Sequence, residues 1–331
     1  KKLVTAYRYC SSPICIYFSD QSLHKFGVTH CRKLIAASCC LCTTLFFAFQ
    51  MLAIGTTASS FAFHFLVDYV ASCFPPSCIS STTRQRQCTE SKGLFIWRNS
   101  VLSCVHASVT GIGALFAFYL HPDMSKDLIF AQSPFSLSLV AYSLGYFIAD
   151  SVHMCWWYLE RPTFELLVHH FAVMTCFTSA LVSGTYIGYA VVALLVEINS
   201  VFLHMRRLLK CLEFPKDSLF SQFVNYANLG TFIVFRFLVL CWMTRWLVLN
   251  RDQISLPYYC LGATCLALIM FMNIVLFMRL VQSDVLSRDS AVGAATLVAS
   301  THVTANSSSA FKRKTVHQSH DSQSVSLCAS D

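Results

Sequence analysis

Charge is what this chain has least of. Only 12% of its 331 residues are Asp, Glu, Lys or Arg, against 55% hydrophobic, and the mean hydropathy is +0.56. A soluble domain carries about 25% charged residues, so the composition excludes a water-soluble globule and with it a soluble enzyme. Interruptions are scarce too. The apolar runs are too long and unbroken for the short alternating strands of a membrane β-barrel, and no internal repeat is evident. Cys73, Cys78 and Cys88 share a polar segment without the paired C-x-x-C spacing of a zinc site. Other cysteines, such as Cys104, Cys155, Cys176, Cys241 and Cys265, sit within apolar runs, where a thiol acts as a small hydrophobe. No metal and no cofactor are expected.

What is present is a series of membrane-length segments. A spanning helix needs about 20 mainly apolar residues. Stretches 99–120, 134–156, 164–183, 186–205, 223–247 and 257–280 qualify, with a seventh upstream at 34–57. The fold class is therefore all-α and polytopic. The organisation reads as a polar, basic segment 1–33, an N-terminal hydrophobic stretch 34–71 comprising a helix and, as one option, a re-entrant segment at 61–70, a polar cytosolic loop 72–96, a membrane domain 97–283 and a disordered Ser/Thr-rich tail 284–331. Ser183-Gly184-Thr185 leaves almost no loop, which predicts a tight helical hairpin. The chain opens on Lys1 rather than Met, so a fragment, an extended gene product and a signal cleaved near 55–60 all stay open.

Lys and Arg (24) exceed Asp and Glu (16), giving +8. The excess gathers between apolar runs and at the ends, which points to membrane orientation rather than to nucleic acid. Arg84, Arg86, Lys92 and Arg98 fall on one side, with Arg161, then Arg206, Arg207, Lys210 and Lys216, then Arg288 and Lys312-Arg313-Lys314. Little beyond Lys126 and Arg251 falls on the other. The positive-inside rule places the 72–98 loop, the 206–222 loop and the C-terminus in the cytosol.

Ionisable groups within the spans cost roughly 2.5–3.5 kcal/mol each on insertion scales. They are expected to face a protein interior, a partner or a cavity. His106, Asp150 with His153, the pair His169-His170, Glu197 and Asn199 with His204, and Arg236 are such groups. Glu197, Ser200 and His204 follow i, i+3, i+7 and share a helix face; Asp150 and His153 share another. Adjacent histidines project about 100° apart, so one of the pair can face the bundle centre while the other bonds a neighbour. Glu197 and Arg236, opposite charges in want of partners, are both expected to point inward. One reading makes all of these interhelical glue, worth about 0.6 kcal/mol per hydrogen bond. The other makes His169 or His170 a general base or nucleophile oriented by Glu197 or Asp150.

The words Trp97-Arg98-Asn99, Val105-His106, Gly145 to Asp150, Leu166-Leu167-Val168-His169-His170, and Val192 to Ser200 leading into Leu203-His204-Met205-Arg206-Arg207, taken in order, resemble the TLC-domain family over about 97–283. The resemblance implies a six-helix membrane barrel around a lipid-sized cavity, preceded by one additional helix. In the ceramide synthases of that family the paired histidines serve acyl transfer from acyl-CoA, completed by a His-Asp pair and a later Asp. Here those positions hold Val196-Glu197 and Ser200, so ceramide synthesis is not expected and lipid occupancy is. The likeness is to members that regulate phospholipid composition and fluidity by limiting incorporation of long polyunsaturated chains, at the plasma membrane, with endoplasmic reticulum and mitochondria as alternatives. It implies His169, His170 and Glu197 as the reacting set and Asp150, Asn199 and His204 as lipid-binding, to which the argument from polar groups within the spans adds His106 and Arg236. The expected partners are phospholipid acyl chains. An acyl-CoA-dependent transferase and a non-enzymatic accessory subunit of a channel or receptor are the alternatives.

The only N-x-S/T sequon is Asn306-Ser307-Ser308, in the tail. A reporter fused after Asp331 is expected to report the cytosol, and Asn306 to remain unglycosylated in microsomes; a glycan there reverses the orientation.

Overall fold

A computed structural model describes the backbone over residues 28–76, 87–157 and 161–283, and side chains over 43–76, 92–156 and 163–283. The basic N-terminal segment to residue 27, Arg84 and Arg86, and the tail with Asn306 and Lys312-Arg313-Lys314 lie outside the described residues. The described residues are helical, with no strand, and hold seven helices long and apolar enough to cross a membrane. The protein is an all-α polytopic membrane protein. It divides into two units, Lys1–Phe271 and Met272–Asp331; the contacts that build the site all lie within the first.

The helices are α1 (Val28–Cys73), α2 (Gln87–Leu120), α3 (Pro134–Trp157), α4 (Arg161–Ser183), α5 (Ile187–Leu194), α6 (Glu197–Cys211), α7 (Leu219–Thr231), α8 (Val239–Leu249) and α9 (Leu256–Ser283). Short 3₁₀ turns occupy Pro122–Ser125 and Arg251–Gln253. Helix α3 is the hub, packing on α1, α2, α4 and α5. Of its most apolar stretch 67% is buried, against 11% for α1, whose outer face is left for lipid.

Helix α1 corrects the expectation of a span ending at 57. Residues 61–70 are not re-entrant; they continue one uninterrupted helix to Cys73. The physical reason is a polar stripe at helical spacing, Thr57, Ser60, His64 and Asp68, which needs helical backbone to meet α3 on one face. Ser60 Oγ donates to Tyr142 O at 2.6 Å, and Thr57 Oγ1 lies 3.2 Å from Ala141 O. The approach is close because Gly145 has no side chain: a Cβ there would stand 2.4 Å from Thr57 O and 2.7 Å from Ser60 Cβ. Small residues at the crossing, rather than large apolar ones, hold helices together in lipid.

Lower down, Arg98 of α2 pairs with both carboxylate oxygens of Asp68 on α1, its Nε 2.9 Å from Oδ1. His153 Nε2 of α3 stands 3.5 Å from the same Oδ1, and its ring stacks on Phe95 with centroids 5.3 Å apart. Arg98, counted as a loop charge from the sequence, is thus a helix-to-helix clamp. Arg206 and Arg207, likewise assigned to a loop, lie within α6.

The hairpin expected at Ser183-Gly184-Thr185 is present. Gly184 ends α4 in the left-handed region at φ 64°, its N–H bonded to Ala180 O, and Tyr186 N donates to Ile129 O at 2.7 Å. Two expected continuous helices are irregular instead. The 186–205 segment breaks at Leu195-Val196, where i→i−3 bonds (Leu195 N to Val192 O, Val196 N to Ala193 O, Ile198 N to Leu195 O, Asn199 N to Val196 O) tighten the backbone. The 223–247 segment widens into a π-helix over Phe232–Leu238.

Replacing Gly145 by Leu is expected to separate α1 from α3 at a cost of about 1–3 kcal/mol, the usual penalty of overpacking. The measurement is the thermal midpoint in detergent, with Gly230→Leu, where a Cβ meets nothing within 4 Å, as the control.

Candidate functional site

The ionisable groups of the spans settle into two connected networks. The first belongs to α2, α3 and α4. Asp150, 1% exposed, accepts from Asn99 Nδ2 at 2.8 Å through Oδ1. Its Oδ2 faces Tyr146 Oη at 3.4 Å and His170 Nδ1 at 3.7 Å. Tyr146 commits its proton to Ser103 Oγ at 2.9 Å, and Ser103 passes its own to Asn99 O at 2.7 Å. Oδ2 is therefore the underused oxygen, and His170 Nδ1, which has no hydrogen-bond partner, is the donor nearest to hand. A contraction of well under an ångström closes an Asp-His pair.

Aromatic rings carry this network outward. His106 stacks on Tyr146 with centroids 3.8 Å apart and an interplanar angle of 12°, and its Nε2 lies 3.3 Å from Ser143 Oγ. His64 of α1 completes it. Its Nδ1 lies 2.7 Å from Ser60 O, and a carbonyl only accepts, so the proton sits on Nδ1. Nε2 is then the acceptor for the Tyr142 hydroxyl at 3.3 Å.

The second network joins α6 to α7 and the π-helix. Asn199 is its centre and is fully buried. Its amide nitrogen faces Asn228 O (2.9 Å), Asn228 Oδ1 (3.1 Å) and Thr231 Oγ1 (3.0 Å). Its Oδ1 accepts from Arg236 Nε at 2.7 Å, and Arg236 Nη2 also donates to Ser200 Oγ at 2.8 Å. The guanidinium lies 5.4 Å from the Phe232 ring centroid. Ser200 lies one turn beyond Glu197 on the same face of α6, so the guanidinium that it holds comes within electrostatic reach of the carboxylate. Both helices are distorted where they carry these groups, tightened beside Glu197 and widened around Arg236. Such local 3₁₀ and π geometry concentrates at functional positions. Gly111 of α2 lets the backbone at Glu197-Ile198 approach; a Cβ there would be 3.1 Å from Ile198 N.

Beside these networks lies a cavity of about 130 Å³, walled by Phe147, Val173, Leu194, Leu240, Leu266 and Ile269 among others. His169 and Glu197 are the two lining residues with strongly ionisable side chains, and both are half-buried. Toward the 184–186 and 250–255 turns the wall carries Tyr186, Tyr189 and Tyr258; Tyr189 Oη donates to Met243 O at 3.1 Å. The arrangement offers an apolar cavity wall with an imidazole and a carboxylate set into it, the carboxylate within electrostatic reach of the Arg236 guanidinium.

The structure thus separates residues that the sequence grouped. His169 and His170 take the two directions that adjacency demands, one to the cavity and one to Asp150. Asp150 and His153, expected on one face, serve different partners: His153 turns to Asp68, because Asn99, Tyr146 and His170 already surround Asp150. His204, with an unpartnered buried Nδ1, comes within electrostatic reach of His106, His170 and Arg236. Sequence reasoning missed Asn99, Tyr146, His64 and Asn228. The Ser60, His64, Asp68 stripe carried a readable 4-residue spacing; Asn99, Tyr146 and Asn228 are uncharged and gave no comparable signal.

Asn199→Leu leaves a buried guanidinium short of an acceptor and is expected to destabilise by about 2–4 kcal/mol. Adding Arg236→Met should recover part of that loss, read as non-additive unfolding midpoints in a double-mutant cycle.

A model of the TLC domain matches residues 96–282. TLC domain-containing protein 2 of Danio rerio is 45% identical over 229 residues, covering 69% of this chain and 89% of that protein. The protein of the same name from Homo sapiens is 38% identical over 57% of this chain and 72% of its own length. TLC domain-containing protein 1 of Homo sapiens is 33% identical over 57% of this chain and 75% of its own. With the domain match spanning more than half of its residues, the chain belongs to the TLC-domain family.

Proposed function

We propose that this protein regulates membrane phospholipid composition and fluidity, limiting the incorporation of long-chain polyunsaturated fatty acids, by holding lipid acyl chains in the cavity between α3, α4, α5, α6, α8 and the first half of α9. The observation that carries the reading is the cavity itself, apolar on nearly every wall yet edged by His169 and Glu197. A 150 Å³ apolar cavity takes a benzene-sized guest. A space of about 130 Å³ therefore suits a segment of an acyl chain rather than a whole phospholipid. The carbonyl or hydroxyl end of such a chain would meet the imidazole and carboxylate, while its tail follows the aliphatic wall.

The residues divide into roles on this reading. His169 and Glu197 meet the polar end of the lipid. Arg236, held by Ser200 and Asn199, supplies the positive charge that answers Glu197. His170 and Asp150, with Asn99 and Tyr146, position the helix that presents His169, and His106 and His204 complete the polar interior behind it. The basic residues at one end of the helices support a cytosolic C-terminus, and the family likeness supports the plasma membrane as the site of action.

Lipidomics of cells expressing the protein at matched levels tests this. His169→Ala, Glu197→Gln and the cavity-filling Ala193→Phe are each expected to return the phospholipid acyl profile to that of cells lacking the protein. Profiles indistinguishable from wild type in all three would defeat the lipid reading. Product formed from acyl-CoA by the purified protein, and lost in His169→Ala, would instead make it a transferase.

A further inference from the structure

The same cavity wall holds a pair of thiols that the lipid reading does not use. Cys176 lies on α4, seven residues and two turns beyond His169, on the face that looks into the cavity. Cys265 lies on α9 and lines the cavity from the opposite side of the contact. Cys265 Sγ approaches Ala172 O, the carbonyl one turn before Cys176, at 3.8 Å, which brings the two thiols to neighbouring positions on one wall. Both are free cysteines; Cys265 is buried and Cys176 half-buried. Cys241 and Cys260 are by contrast exposed on the outer faces of their helices.

We propose that Cys176 and Cys265 are a redox-active pair, a disulfide-forming site that reacts with organic hydroperoxides dissolved in the membrane and staples α4 to α9 across the cavity wall. The surroundings select the oxidant class. A thiol pair reached through hydrocarbon is shielded from charged aqueous oxidants, whereas an apolar hydroperoxide partitions to it. In the first step one thiol sulfur attacks the terminal oxygen of the hydroperoxide. The O–O bond breaks, the thiol proton goes to the departing alkoxide, and an alcohol and a sulfenic acid result. In the second step the other thiol attacks the sulfenic sulfur, the S–S bond forms and water leaves. Two thiols lose two electrons, and one hydroperoxide becomes one alcohol and one water. Both sulfurs lie nearer the 184–186 and 250–255 turns than the basic ends of the helices, so the positive-inside charge bias puts them in the non-cytosolic half, away from the glutathione pool.

The chemistry does not depend on what the cavity holds, so it stands or fails separately from the proposed function. The full-length protein in phosphatidylcholine nanodiscs is treated with cumene hydroperoxide or with hydrogen peroxide, alkylated with N-ethylmaleimide and mapped by mass spectrometry. The expected result is a Cys176–Cys265 crosslinked peptide, formed faster with cumene hydroperoxide and reversed by phosphine reductant, while Cys241 and Cys260 remain alkylated. The thermal midpoint should rise on oxidation and fall back on reduction, with no such change in Cys176→Ala. Full alkylation of Cys176 and Cys265 after hydroperoxide treatment, or crosslinking that favours other cysteines, overturns the proposal. Because the mapping uses the wild-type chain, a variant that fails to fold leaves the answer intact.

Discussion

Burying a charge in hydrocarbon without a partner costs more than a membrane helix can easily absorb, and this constraint organises the whole interior. Arg236 sits in the middle of an apolar segment, 219–249, that holds no Asp or Glu. The protein answers with Asn199, whose carbonyl takes the guanidinium while its amide nitrogen is spent on the α7 acceptors Asn228 and Thr231. One side chain thereby ties three helical segments and fixes its own amide orientation, since the reversed amide would set a donor against a cation. Ser200 takes a second guanidinium nitrogen and holds the cation within electrostatic reach of Glu197.

The geometry of the helices follows from that demand. A regular α6 would place Glu197 and Asn199 at fixed 100° intervals, and a regular α7–α8 would present Arg236 at one fixed angle. Tightening one helix by i→i−3 bonds and widening the other by a π segment changes both angles. Gly111 removes the side chain that would hold α2 away from the tightened turn. Backbone irregularity at two facing positions is therefore the means by which a carboxylate reaches a cavity while its counter-charge stays behind it.

At the other side of the bundle, the Asp150 network and the Asp68–Arg98 clamp share a strategy. Each takes a carboxylate on one helix and surrounds it with donors from others, so that α1, α2, α3 and α4 are held by polar contacts where apolar packing gives no preference over lipid. The cavity lies beside this network and the Arg236 network, and His169 of α4 and Glu197 of α6 both line it. The thiol pair occupies the same wall further along, toward the tyrosines at the 184–186 and 250–255 turns.

The seven spans, the tight turn at Gly184 and the identity of the buried ionisable groups were legible in the sequence, because hydrocarbon thickness sets run length and every charge inside a run is conspicuous. The adjacency of His169 and His170 also dictated that they diverge. What only the tertiary structure decided is who meets whom. That Arg98 is a clamp rather than a loop charge, that His153 serves Asp68 and not Asp150, and that Arg236 is held by Asn199 and Ser200 all depend on partners far away in the chain. Those partners are mostly uncharged Asn, Ser and Tyr, which hydropathy does not single out. Helix register across a crossing, set by glycine contacts and by the 3₁₀ and π turns, has no signature in a one-dimensional pattern of apolar residues, and it is this register that placed His169 and Glu197 on one cavity.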